Sequence, residues 1–131
     1  MDVAREIEAP AERVWALLAD PQRWVDWGPS VREVEAGAGL VEPGKRGRVR
    51  TAVGVWLPFE ITAVDAGRSW SWRVAGVEAT GHRVEPLGAT RCRVVFVVPG
   101  WAFPYGLVCR VALDRLARLA ADPAGPRRGG D

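Results

Sequence analysis

Residues 7–21 read Ile7-Glu8-Ala9-Pro10-Ala11-Glu12-Arg13-Val14-Trp15-Ala16-Leu17-Leu18-Ala19-Asp20-Pro21, and the rest of the chain is arranged around this stretch. Ala9-Pro10 opens a helix, because proline at the first helical position loses no hydrogen bond there. Val14, Trp15, Leu17 and Leu18 give that helix an apolar face, and Asp20-Pro21 stops it. Asp20 is then placed to cap a second short helix, with Pro21 at its first position and Trp24 and Trp27 three apart on one side. Gly28-Pro29 ends it. Ahead of the stretch, Val3, Arg5 and Ile7 alternate with Ala4, Glu6 and Glu8 as a short strand.

Downstream the texture changes to short strands punctuated by turn signals. Strands are expected over 30–35, 47–53, 57–64, 69–74, 78–85 and 90–98. The turns fall at Gly54, Asp65-Ala66-Gly67, Gly76 and Gly88, and 37–47 forms a glycine-rich loop. Successive strands with tight turns imply an antiparallel meander. Pro104 then starts a long helix ending before Asp122. On it Val108, Cys109, Ala112, Leu113, Leu116, Leu119 and Ala120 share an apolar arc, opposite Arg110, Asp114 and Arg118. Its 18 residues span about 27 Å, enough to cross a small sheet. The expected architecture is α+β: a curved seven-stranded antiparallel sheet wrapped on the C-terminal helix, with two short helices between strands 1 and 2. Residues 1–122 form one domain and 123–131 a flexible tail.

Composition narrows the function classes. The chain has 131 residues, 48% of them hydrophobic and 26% charged, which fits one domain with a packed core. A net charge of +2 is too balanced to suggest nucleic acid. Of the 18 basic residues 17 are arginine and asparagine is absent, as in a GC-rich bacterial genome. Cys92 and Cys109 are read as free core residues; with one histidine they cannot supply a four-ligand zinc site. No cofactor and no metal are implied. The N-terminus lacks a signal-peptide pattern, and the longest apolar run, Val94 to Phe103, is broken by Pro99-Gly100 and too short to span a membrane. A cytoplasmic protein is expected. Gly37-Ala38-Gly39 precedes no helix, so it is no phosphate loop. Ser69 and Ser71 lack the pattern of a nucleophile elbow.

The opening residues Ile7 to Pro21, followed by Trp24 and Trp27, resemble the start of the START/Bet v 1-like (helix-grip, SRPBCC) superfamily, and within it the polyketide cyclase/dehydrase-like group. Val64-Asp65 before a strand bearing Trp70 and Trp72, His82-Arg83-Val84 in the next, and Pro99-Gly100 before the last helix are similar too. The resemblance covers about residues 2–121. It implies a cavity between the concave sheet face and the last helix, suited to a hydrophobic small molecule such as a lipid or polyketide. It also implies an alternative, a cyclase or dehydratase of secondary metabolism.

Alternation then nominates residues for that cavity. A three-residue turn Gly54–Trp56 would set Leu57, Phe59 and Ile61 opposite Val53, Thr51 and Val49. A three-residue turn Ala75–Val77 would set Trp70 and Trp72 across from His82 and Thr80. A turn at Leu87–Ala89 would pair His82 with Val94 and Thr80 with Phe96. The expected ligand-binding residues are Thr51, Phe59, Trp70, Trp72, Thr80, His82, Phe96, Trp101, Phe103, Val108 and Leu116. The candidate catalytic residues are His82, the one near-neutral base on the inner face, and Tyr105, a donor to a ligand carbonyl. Glu78, about 13 Å from His82 along its strand, is too far to orient it. Trp15, Trp24 and Trp27 are assigned to packing the short helices. Arg46, Arg48 and Arg50 make a basic stripe, read as a solvated sheet surface or a contact for an acyl carrier protein.

Overall fold

The computed structural model describes residues 1–100 and 105–121. Seven strands follow in the order β1 (Asp2–Ile7), β2 (Val31–Ala36), β3 (Arg46–Thr51), β4 (Trp56–Asp65), β5 (Ser69–Val74), β6 (Val77–Pro86) and β7 (Cys92–Val97). Between β1 and β2 lie α1 (Ala11–Ala19), a 3-10 turn (Pro21–Arg23) and α2 (Trp24–Trp27), and after β7 comes α3 (Gly106–Ala121). The strands form one antiparallel sheet in the order β1-β7-β6-β5-β4-β3-β2. This is the helix-grip α+β arrangement. Residues 101–104, with the expected helix start at Pro104, and 122–131, with the expected tail, lie outside the described residues.

Local chemistry explains the α1–α2 corner. The Asp20 carboxylate accepts from the Gln22 backbone N–H at 3.0 Å, capping the 3-10 turn. Trp24 Nε1 donates to Leu18 O and Trp27 Nε1 to Leu17 O, each at 2.9 Å. Both indoles thereby use the carbonyls that α1 leaves unpaired at its C-terminal end, and their rings are fixed facing the sheet. The core gathers Ile7, Val14, Leu18, Trp24, Ile61, Trp70, Val84, Val94, Leu113 and Leu116. Cys92 and Cys109 are both free and buried.

Three expected registers differ in detail. Val49 pairs with Leu57, not Ile61, because the β3–β4 turn is centred on Val53 and not two residues later; Thr51 N–H donates to Val55 O, and Val53 is 84% exposed. His82 pairs with Phe96, not Val94, across a loop closed by Leu87 N–H to Arg91 O. Between β5 and β6 the turn is two residues, Ala75 (φ 52°) and Gly76 (φ 78°), yet Trp70 still faces His82. A bulge sets Trp72 against both Ala79 and Thr80, restoring the register that the shorter turn would have shifted.

The outer face of the sheet is charged and largely compensated. Arg50 bonds Glu33 at 2.6 Å, Arg48 bonds Glu35 at 3.1 Å, and Arg46 lies 3.9 Å from Glu60. Each arginine of the basic stripe therefore has a carboxylate within 3.9 Å.

Candidate functional site

A cavity of about 560 Å³ opens between the concave sheet face, α2 and the N-terminal half of α3. Its wall is mostly apolar. Trp24 and Trp70, each 1% exposed, close one end. Ser30, Val77 (48% exposed) and Tyr105 (36% exposed) rim the other.

Aromatic rings build the closed end. Trp24 stacks on Trp70 at 5.1 Å, and Trp70 stacks in turn on His82 at 3.9 Å. Phe96 meets the His82 ring edge-on at 4.9 Å, and Trp72 meets Trp70 edge-on at 5.5 Å. Among the described residues, Trp70 Nε1 and Thr51 Oγ1 are buried without a hydrogen-bond partner.

His82 belongs to a hydrogen-bond chain whose direction is dictated by its ends. A tryptophan N–H only donates and a carbonyl only accepts. Trp72 Nε1 donates to Thr80 Oγ1 (3.3 Å), and Thr80 is left to donate its proton to His82 Nε2 (3.1 Å). His82 Nδ1–H then donates to Trp70 O (3.4 Å). The imidazole is thus the Nδ1–H tautomer with its basic lone pair held by Thr80. Burial lowers its pKa from 6.5 to about 3, against the opposing pull of the Trp70 carbonyl. At neutral pH it is an uncharged, weak base.

At the rim, the Tyr105 and Ser30 hydroxyls share a hydrogen bond that ties the start of α3 to the chain entering β2. Burial raises the Tyr105 pKa, opposed by the Ser30 bond and assisted by Cys109. Burial pushes the Cys109 thiol up to about 11. No described cluster of three or more His, Cys, Asp or Glu side chains could hold a metal. No described helix is long and apolar enough to cross a membrane.

Of the residues nominated from the sequence, Thr51, Trp70, Trp72, Thr80, His82, Phe96, Tyr105 and Val108 stand in this wall. Phe59 does not, because Trp24 (5.3 Å) and Trp72 (5.7 Å) pack against it and take its place at the surface of the cavity. Leu116 does not either: it lies a turn beyond Ala112, where α3 packs against α1, and is fully buried core. Trp101 and Phe103 lie outside the described residues. Glu78 is exposed. The sequence reading missed Trp24 and Trp27 as wall residues, and also Cys109 and Ala112. The signal for the last two was size, since a small residue on the apolar arc of a helix leaves room beside it.

A family described as polyketide cyclase / dehydrase and lipid transport matches residues 1–124. The chain belongs to this family. A search of curated proteins returned no match. Among solved structures, the polyketide cyclase / dehydrase fold seen here is similar to the Zhui aromatase/cyclase from Streptomyces sp. R1128. The TM-score is 0.70 at 19% identity, covering 95% of this chain and 96% of that one. It is also similar to XoxI from Bacillus cereus (TM-score 0.73, 14% identity, 93% and 95% covered). A third is the Aha1 dimer from Colwellia psychrerythraea (0.72, 15%, 95% and 98%). At such identities the likeness is one of fold.

Proposed function

We propose that this protein binds a hydrophobic small molecule, lipid or polyketide-like, in the cavity between sheet and α3. The observation that carries this reading is an apolar cavity of about 560 Å³ beside the buried core. Pockets of this size suit ligands of drug-like dimensions, and apolar walls drive their binding by burial. Its test is direct: a panel of lipids and polycyclic aromatics, followed by tryptophan fluorescence and by native mass spectrometry of the gently purified protein. One-to-one binding with quenching of the cavity tryptophans is expected. Silence across the panel would sink the reading.

The alternative is a cyclase or dehydratase in which His82 moves the proton and Tyr105 steadies an enolate. His82 in the cavity wall and the likeness to an aromatase/cyclase favour it. Against it stand the lowered basicity of His82 and the engagement of Nε2 by Thr80, which leave the imidazole poorly matched to proton abstraction at neutral pH. Binding is therefore the preferred reading. Turnover of a polyketide-type substrate that His82→Ala abolishes would reverse the order.

A further inference from the structure

The chemistry of the cavity wall sorts ligands by charge. Among the described residues, no Asp, Glu, Lys or Arg side chain lines it. This absence is not a consequence of composition, since the chain carries 34 such residues, and the outer sheet face holds many of them in ion pairs. Three of the described wall groups can titrate: His82, Cys109 and Tyr105. Between pH 5 and 8 none of them changes charge, because His82 is neutral above about 3, Cys109 loses its proton near 11, and Tyr105 is raised from 10. At the closed end Trp72, Thr80 and His82 hand their protons along one chain to the Trp70 carbonyl, which leaves the Trp70 N–H and the Thr51 hydroxyl as the unpaired buried groups of the described wall. An ion placed there would lose its hydration and find no counter-charge, only two neutral unpaired groups to set against that loss.

Resting on the binding reading above, we infer that this cavity takes uncharged ligands and rejects acids and amines, with a neutral hydroxyl or carbonyl at the Ser30–Tyr105 end as the polar group it accommodates. That end supplies the needed chemistry. Two hydroxyls that share one hydrogen bond retain one proton to donate and several lone pairs to accept.

The test compares three compounds of one shape: 9-anthracenemethanol, anthracene-9-carboxylate and 9-(aminomethyl)anthracene. The substituent sits on the middle ring, so burying the tricycle buries the charge. Binding to the wild-type protein is measured by calorimetry and by energy transfer from tryptophan, with no variant that could misfold. At pH 7.5 the alcohol is expected to bind at least about thirtyfold more tightly than either ion. As the pH falls toward 5.5, carboxylate affinity should rise about tenfold per unit, because only its neutral acid enters, while affinity for the alcohol stays flat. A difference below thirtyfold at pH 7.5, or a flat carboxylate profile, overturns the inference and leaves the apolar-cavity reading standing. Failure of all three compounds to bind overturns both.

Discussion

At the scale of the residue, His82 shows how a buried polar group is accommodated and what it costs. It is 4% exposed, stacked on Trp70 and bonded through both ring nitrogens. Protonation would strip Nε2 of its bond from Thr80 and strand a charge among rings. Its folded pKa of about 3 lies below the ordinary 6.5, so on acidification the unfolded chain takes up the proton first. Stability contributed by neutral His82 is therefore fully present above pH 6.5 and is lost progressively as pH falls toward 3. At pH 5.5, where carboxylates are still ionised, the wild type should be about 1 kcal/mol less stable than at pH 7.5 on this account. His82→Gln, which cannot titrate, should lack that loss even though it is less stable overall. Denaturant midpoints at the two pH values check this; equal losses in both proteins would show that His82 does not carry the effect.

At the scale of the element, the β5–β6 hairpin explains what the sequence disclosed and what it withheld. Faces were legible: apolar residues at every second position put Trp70, Trp72, Thr80, His82 and Phe96 on the concave side, as observed. Turn positions were not, since an even register slip keeps every side chain on its face and leaves no trace in the pattern. Val49 and His82 accordingly found other partners on the correct face. The turn Ala75-Gly76 hid its length because Ala75 is a non-glycine residue at φ 52°, whereas two-residue turns of this kind usually announce themselves as Asn-Gly. The bulge at Trp72 then compensated for it. Left-handed backbone costs an ordinary L residue about 1 kcal/mol, and asparagine less. Ala75→Asn should raise stability by about 0.5 kcal/mol and Ala75→Val should lower it by about 1 kcal/mol, read as shifts in melting temperature. A Val variant as stable as the wild type would mean that the turn relaxes out of this conformation.

At the scale of the whole molecule, α3 divides the interior in two. Its N-terminal half, with Val108, Cys109 and Ala112, faces the cavity; its C-terminal half, with Leu116 and Ala120, is packed against the rest of the core. The division was only partly legible, because one apolar arc runs the length of the helix and carries no mark of where the filled core ends. Two buried alanines eight residues apart test it. Ala112 is 3% exposed and stands in the cavity wall. Ala120 is fully buried, and its carbonyl accepts from Arg13 at 2.7 Å. Leucine at position 112 has open volume to enter and buries further apolar surface, so Ala112→Leu should unfold at the same denaturant concentration as wild type or a higher one. It should also weaken binding of 9-anthracenemethanol by more than about tenfold by filling the space the ligand needs. Leucine at position 120 enters close-packed surroundings and forces its neighbours aside, which costs about 1–3 kcal/mol. Ala120→Leu should therefore unfold earlier while retaining wild-type affinity for the ligand. Should Ala112→Leu prove the more destabilised of the two and still bind normally, the cavity would lie elsewhere than under the first half of α3.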